Sequence, residues 1–388
     1  MGARASRVVW LSTLNNQLST FRMNTVTPRL FVAATHQNDG KTTTALGLFA
    51  ALRRRRGRIG FIKPVGQRFV EIEGQRIDED SVLIDQTFSV HTPLEAMSPI
   101  AVEPDFTRRY IEDSNNEFLV RRIQNSFDRT AWEKDFVIIE GTGHAGVGSV
   151  FDLSNARVAH LLGSKAILIA GGGIGRPIDE VALNKALFDK EGVELVGVIL
   201  NKLLPEKFEY IRDFARRGLA RLGIDLLGAI PEEPILANAT LGQIAKTTRG
   251  TFLNGKNRSR RRVQKVVIGA MNSGHVRQYF NPGTLVITPG DRDDVILAVL
   301  SACTHGAHDG QSVAGLILCG DFQPCPTLLE SLQHSEIPAI ATALDSYSVA
   351  SSIHSMTVKT LPGDVEKIDK IQTLVEQYVE VDRLLGKL

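Results

Sequence analysis

Cysteine is scarce. Three residues (Cys303, Cys319 and Cys325) in a chain of 388 cannot build a disulfide framework, and they suit a reducing, cytoplasmic setting in which thiols pack as small apolar groups. Their spacing with His305 and His308 matches no metal-ligand pattern. An excess of one charge is lacking too: 45 Lys and Arg against 43 Asp and Glu leave a formal net charge of +2. Neither nucleic acid nor a membrane surface is therefore indicated as a partner. No apolar run approaches the roughly 20 residues that a membrane-spanning helix needs. Acidic residues are missing from Met1 through Asn38, whereas Arg4, Arg7, Arg22 and Arg29 are present. Acid-free, Arg-bearing tails can be organellar transit signals. The simpler expectation is a mis-started or disordered tail over residues 1–28, with Met23 as the start. Internal repeats and low-complexity tracts are absent.

What is present is ordinary globular material, 43% hydrophobic and 23% charged, enough for two or three domains. Apolar, β-rich runs at Leu30–Thr35, Ile59–Lys63, Phe136–Glu140, Ala166–Ala170, Leu195–Leu200 and Leu226–Ile230 lack polar alternation, so each is expected to be a strand buried on both faces. Helical segments (Thr43–Arg55, Pro177–Lys190, Glu206–Leu222) separate them. Strands alternating with helices imply an α/β fold with a parallel, doubly wound sheet over residues 29–248. "TTRGTFLNGKNRSRRRVQK" is polar and basic, and it predicts a solvated linker over 249–265. It has no aromatic platform between its arginines, which argues against a nucleic-acid patch. The β/α pattern then restarts with "VVIGA", "TLVITPG", "AGLILCGD" and "IPAIATAL", giving a smaller α/β domain over 266–388 that closes with a helix near Val365–Leu385.

The stretch "LFVAATHQNDGKTTTALGLFAAL" reads as a phosphate-binding loop whose first glycine is missing; Thr35 stands in its place. A buried strand, a glycine-containing turn and a helix N-terminus together aim backbone N–H groups and a positive dipole end at an anion. Thr35, Asn38, Asp39, Gly40, Lys41, Thr42 and Thr43 are the candidate cradle for ATP. Lys41 would reach the β and γ phosphates and Thr42 would ligate Mg²⁺. Lys63, at a strand's carboxyl end, faces the ligand crevice of such a sheet and is a candidate for a second anionic group. Glu140 ends the apolar strand of "DFVIIEGTGH", where a carboxylate opposes the loop and holds Mg²⁺. "GGGIGRP" does not spell a dinucleotide fingerprint, and it reads as a strand-to-helix turn.

With Thr35 at that position and Gly40-Lys41-Thr42 closing it, the loop resembles that of dethiobiotin synthetase and its relatives, although Ala34 replaces their preceding glycine. The resemblance implies further roles. "FIKPVGQ" matches the family's K-P-V segment at Lys63, "DEDSVL" the acidic segment with a Mg²⁺-associated carboxylate at Asp80, and "GVILNK" the base-contacting Asn at Asn201. Glu140 aligns with E-G-[AT]-G, and Leu226–Leu236 with the segment packing over the base. "VVIGAMNSGHVRQYFNPGTLVITPGDRDDVILAVL" resembles the domain named for Asp-Arg-Thr-Gly-Gly, but only Asp291 and Arg292 match that signature. Asp291 and Arg292 are thus the candidate regulatory contacts, with a structural Asp–Arg pair as the alternative. From Leu30 onward the chain is similar to the N-terminal half of long phosphate acetyltransferases, without the acetyl-transfer domain. Together these resemblances imply a regulatory Mg²⁺- and ATP-binding protein that also senses a small anionic metabolite, as a homo-oligomer. The alternatives are an ATP-dependent ligase using Lys41 and Lys63, and a non-catalytic scaffold.

Overall fold

The computed structural model describes residues 23–305 and 313–388. Arg4, Arg7, Arg22 and His308 lie outside the described residues. The chain divides into two compact units: one comprises residues up to Glu232 together with Thr360–Leu388, the other Glu233–Lys359.

The first unit is built on six parallel strands: β1 (Arg29–Ala34), β2 (Ile59–Ile62), β3 (Phe136–Glu140), β4 (Lys165–Gly171), β5 (Leu195–Leu203) and β6 (Leu226–Pro231). Their order in the sheet is β6-β5-β4-β1-β3-β2. All six strands expected from the sequence are found, with ends shifted by a few residues. Because both faces are covered, the strands are buried almost throughout. Helix α1 (Lys41–Arg56) packs on one face. Opposite it lies a core formed by α3 (Asn116–Ala131), α4 (Gly175–Lys190) and α5 (Phe208–Ala220), including Phe127, Phe188 and Leu219. Between β2 and β3 the chain makes an excursion with a hairpin, Phe69–Ile72 against Gln75–Asp78, and helix α2 (Glu79–Phe88). Met23–Pro28 departs from the expected tail. The Asn24 backbone N–H donates to Asp128 on α3 (2.6 Å), and Arg29 is buried, its guanidinium bonded to the Leu162 carbonyl and lying over Phe127.

The second unit carries β7 (Thr251–Asn254), β8 (Lys265–Ile268), β9 (Thr284–Pro289), β10 (Gly315–Cys319) and β11 (Ala339–Ala341), in the order β7-β11-β10-β9-β8. Strand β7 is antiparallel to β11, and the other pairs are parallel. Cores lie on both faces of the sheet, one around Val295 and Leu332, the other around Leu241, Ile244 and Val349.

Two expected boundaries differ. The segment 249–265, read as a linker, supplies edge strand β7, and the helix Leu241–Thr247 before it already belongs to the second core. The closing helix (Val365–Tyr378), expected with the second domain, packs instead on α1 of the first unit. Its apolar face covers α1, and its last residue, Tyr378, meets Phe208 of α5 edge-on. Among the described residues no helix is long and apolar enough to cross a membrane.

Candidate functional site

The loop after β1 is held from several sides. Thr35 continues the strand, its N–H bonding the Ile169 carbonyl (2.8 Å), so this position asks for no glycine conformation. The turn comes later: Asn38 (φ 72°) and Gly40 (φ 90°) carry the left-handed residues. A Cβ on Gly40 would meet Asn201 Nδ2 at 2.0 Å, so strain and space both demand glycine there. The Asp39 carboxylate accepts from the Thr35 hydroxyl (2.8 Å) and the His36 N–H (2.7 Å). From β5, Asn201 Nδ2 donates to the Asp39 carbonyl (2.8 Å) and Lys202 Nζ to the Asn38 carbonyl (2.7 Å). Asn201, expected to contact a base, is here committed to the loop. Thr43 follows in the first turn of α1.

Behind the loop lies a buried charge cluster. The Lys63 ammonium, just past β2, is ion-paired with Asp80 and lies 3.3 Å from Asp78 and 3.4 Å from Glu140. Asp78 caps α2 by accepting from the Asp80 N–H (2.9 Å), which turns both side chains toward Lys63. Burial opposes the Lys63 charge, but Asp80, Glu140 and Asp78 outweigh it and hold its pKa well above the ordinary lysine value. Burial raises the Glu140 carboxyl, and Asp80 adds to that rise against Lys63 and Lys41. Burial likewise lowers the Lys41 ammonium. Thr42 Oγ1 donates to Glu140 Oε1 (2.9 Å), and Glu140 Oε2 is buried with no hydrogen-bond partner.

Of the expected metal set, Asp80 and Glu140 meet the Lys63 ammonium, and Thr42 is bonded to Glu140. Among the described residues no group of three His, Cys, Asp or Glu side chains is arranged to hold a metal ion. The all-oxygen donors and the orphaned Glu140 oxygen do suit a hard cation bound by Thr42 and Glu140.

Three contributors escaped the sequence reading. Asp78 was legible as an N-cap ahead of an acidic first turn. Asn155 bonds the Thr142 N–H (3.0 Å) and the carbonyls of Thr142 (2.7 Å) and His144 (2.6 Å), fixing the loop after Glu140. Glu180 on α4 gathers His36 (3.1 Å), Arg176 (2.5 Å) and Thr35 (3.3 Å) at the loop's rim. Neither of these two sits in a motif.

In the second unit Arg292 is spent internally. It pairs with Asp294 through both oxygens (2.8 and 3.0 Å) and donates to the carbonyls of Met271 (2.9 Å) and Gly269 (3.4 Å). The hydrogen bond to Asp294 raises its pKa further. Its neighbour Asp291 is exposed. The arginine's partner is thus Asp294 and not Asp291, so the expected Asp–Arg pair forms with a different aspartate.

A family model described as an AAA domain (AAA_26) matches residues 28–240. The chain belongs to that family. A DRTGG domain model matches residues 243–356, so a P-loop domain is followed by a DRTGG domain. Phosphate acetyltransferase of Pseudomonas aeruginosa is 30% identical over 371 residues, 91% of this chain and 51% of that protein. Its Nitrosomonas europaea counterpart is 27% identical over 92% of this chain and 51% of its own length. The chain therefore spans about half the length of these curated relatives, corresponding to their N-terminal half. A solved structure of the CBS and DRTGG domains of Clostridium perfringens pyrophosphatase, with diadenosine tetraphosphate, is 20% identical at a TM-score of 0.27, covering 44% of this chain and 76% of that one.

Proposed function

We propose that the chain is a regulatory Mg²⁺·ATP-binding protein in which the P-loop unit takes the nucleotide and the DRTGG unit senses a small anionic metabolite. The observation that carries the nucleotide reading is the loop itself, with Gly40 and Asn38 in left-handed turns at the start of α1 and Thr42 bonded to Glu140. Lys41 and the first N–H groups of α1 would bind the phosphates. Thr42 and Glu140 would hold Mg²⁺, which supplies positive charge against the phosphate oxygens. Kinship with half of the phosphate acetyltransferases, on the side without acetyl-transfer chemistry, supports regulation.

The ligase reading rests on Lys63 meeting a substrate. Its ammonium is already matched by three carboxylates, which favours a countercharge role. Calorimetric titration tests the nucleotide site: Lys41→Ala should weaken Mg²⁺·ATP binding ten- to a hundredfold, the loss of about 1.5–3 kcal/mol for one charge-assisted contact. Equal affinity in the two proteins would overturn the assignment. ADP release that depends on a small carboxylate or amine, and that disappears in Lys63→Ala, would replace regulation with ligation.

A further inference from the structure

The second unit is an insertion. The chain leaves the first unit after Glu232, at the end of β6, and returns at Thr360. After that return, the closing helix packs on α1, the helix that follows the loop. Gly47 on α1 lies so close to the closing helix that an added Cβ would meet Val375 Cγ2 at 2.3 Å and the Ile371 carbonyl at 3.1 Å. Further along α1, an arginine run is drawn into the same contact. Arg54 reaches Glu376 (3.3 Å), and Arg55 reaches both Glu376 (2.8 Å) and Asp382 (2.8 Å). The segment also closes the sheet's edge. Val379 bridges Gly228, the Glu380 N–H donates to the Leu227 carbonyl (2.8 Å), and Arg383 and Lys387 hold Asp225 (2.9 and 2.5 Å).

Helix α1 begins at Lys41, directly after Gly40. A helix is stiff along its axis, so a partner that fixes its body and far end also fixes the loop residues at its start. We propose that Thr360–Leu388 is the positioning segment for the nucleotide loop. This rests on the P-loop being the nucleotide site. A change in how this segment packs would shift α1, and through it the affinity for phosphate.

The test uses the full chain with two loosening variants, Val375→Ala for packing and Glu376→Ala for charge. Ile123→Ala on α3, buried in the core that includes Phe127, controls for general destabilisation. Hydrogen exchange is followed in peptides covering residues 35–46, and Mg²⁺·ATP affinity by calorimetry. The expected result is exchange in the loop faster by about fivefold or more, with affinity weaker by a similar factor, in both variants and not in the control. Faster exchange confined to residues 365–378, with loop and affinity unchanged, overturns the proposal. So does an equal loop response in Ile123→Ala. If the unmutated chain binds no nucleotide while the loop still responds to Val375→Ala, the nucleotide reading falls and the positioning role stands.

Discussion

Lys63 shows what a single residue can carry in this molecule. Its ammonium is buried among three carboxylates, those of Asp78, Asp80 and Glu140. Removing one partner of a buried ion cluster costs about 3–5 kcal/mol, because the remaining charges stay desolvated. Lys63→Met is therefore predicted to lower unfolding stability by that order. The loss should shrink as pH falls. Burial already raises the Glu140 carboxyl, and an acid whose folded pKa is raised contributes stability below its ordinary pKa and loses it as pH rises through the folded value. Urea titrations at two pH values measure this, and a change under about 1 kcal/mol at neutral pH would contradict it. Added Mg²⁺ should restore part of the loss, since the freed oxygens suit a hard cation. Residue by residue, the sequence was informative about position: Thr42, Lys63 and Glu140 come together at the strand ends. Asn201 was harder, because the same side chain that resembles a base contact also reaches the Asp39 carbonyl.

At the level of elements, the buried strands were legible because a parallel sheet covered on both faces leaves continuous apolar runs. Strand β7 was not. Four residues at a sheet edge, amid arginines, leave no period to read, and pairing with β11 is a long-range fact. The closing helix was legible as a helix, but periodicity reports that a face is buried, not what buries it. Gly47 gives a prediction that turns on that partner. In an exposed helix, Gly→Ala stabilises by about 1 kcal/mol. Here the new Cβ would fall 2.3 Å from Val375 Cγ2, and overpacking typically costs about 1–3 kcal/mol. Gly47→Ala should thus lower the thermal midpoint, and Gly47→Ala with Val375→Ala should recover much of it. A raised midpoint in the single variant would mean that the helix lies farther from α1 than the structure has it.

For the whole molecule, the insertion changes where the chain is vulnerable. If residues 249–265 were a free linker, a protease would cut there first. Instead β7 is paired with β11, Asn254 Nδ2 bonds the Leu332 carbonyl (2.9 Å), and Arg258 holds the Glu336 carbonyl (2.6 Å). The return connection is irregular: between helix Ser346–Ser355 and the closing helix, 356–364 forms neither helix nor strand and Leu361 is exposed, although the Lys359 carbonyl accepts from Gln243 Nε2 (3.2 Å). Trypsin is therefore predicted to cleave after Lys359 before it cleaves at Lys256, Arg258 or Arg260. The released piece, from Thr360 onward, should stay with the body in native gel filtration, because its buried residues Ile371, Leu374 and Val375 and its ion pairs with Arg54, Arg55 and Asp225 do not depend on the chain connection. Mass spectrometry of the main peak reads both outcomes. Early cleavage within 249–265 would restore the linker and place the boundary where the sequence first suggested. Cleavage after Lys359 with loss of the piece would show that the closing helix is held by the chain more than by its packing on α1.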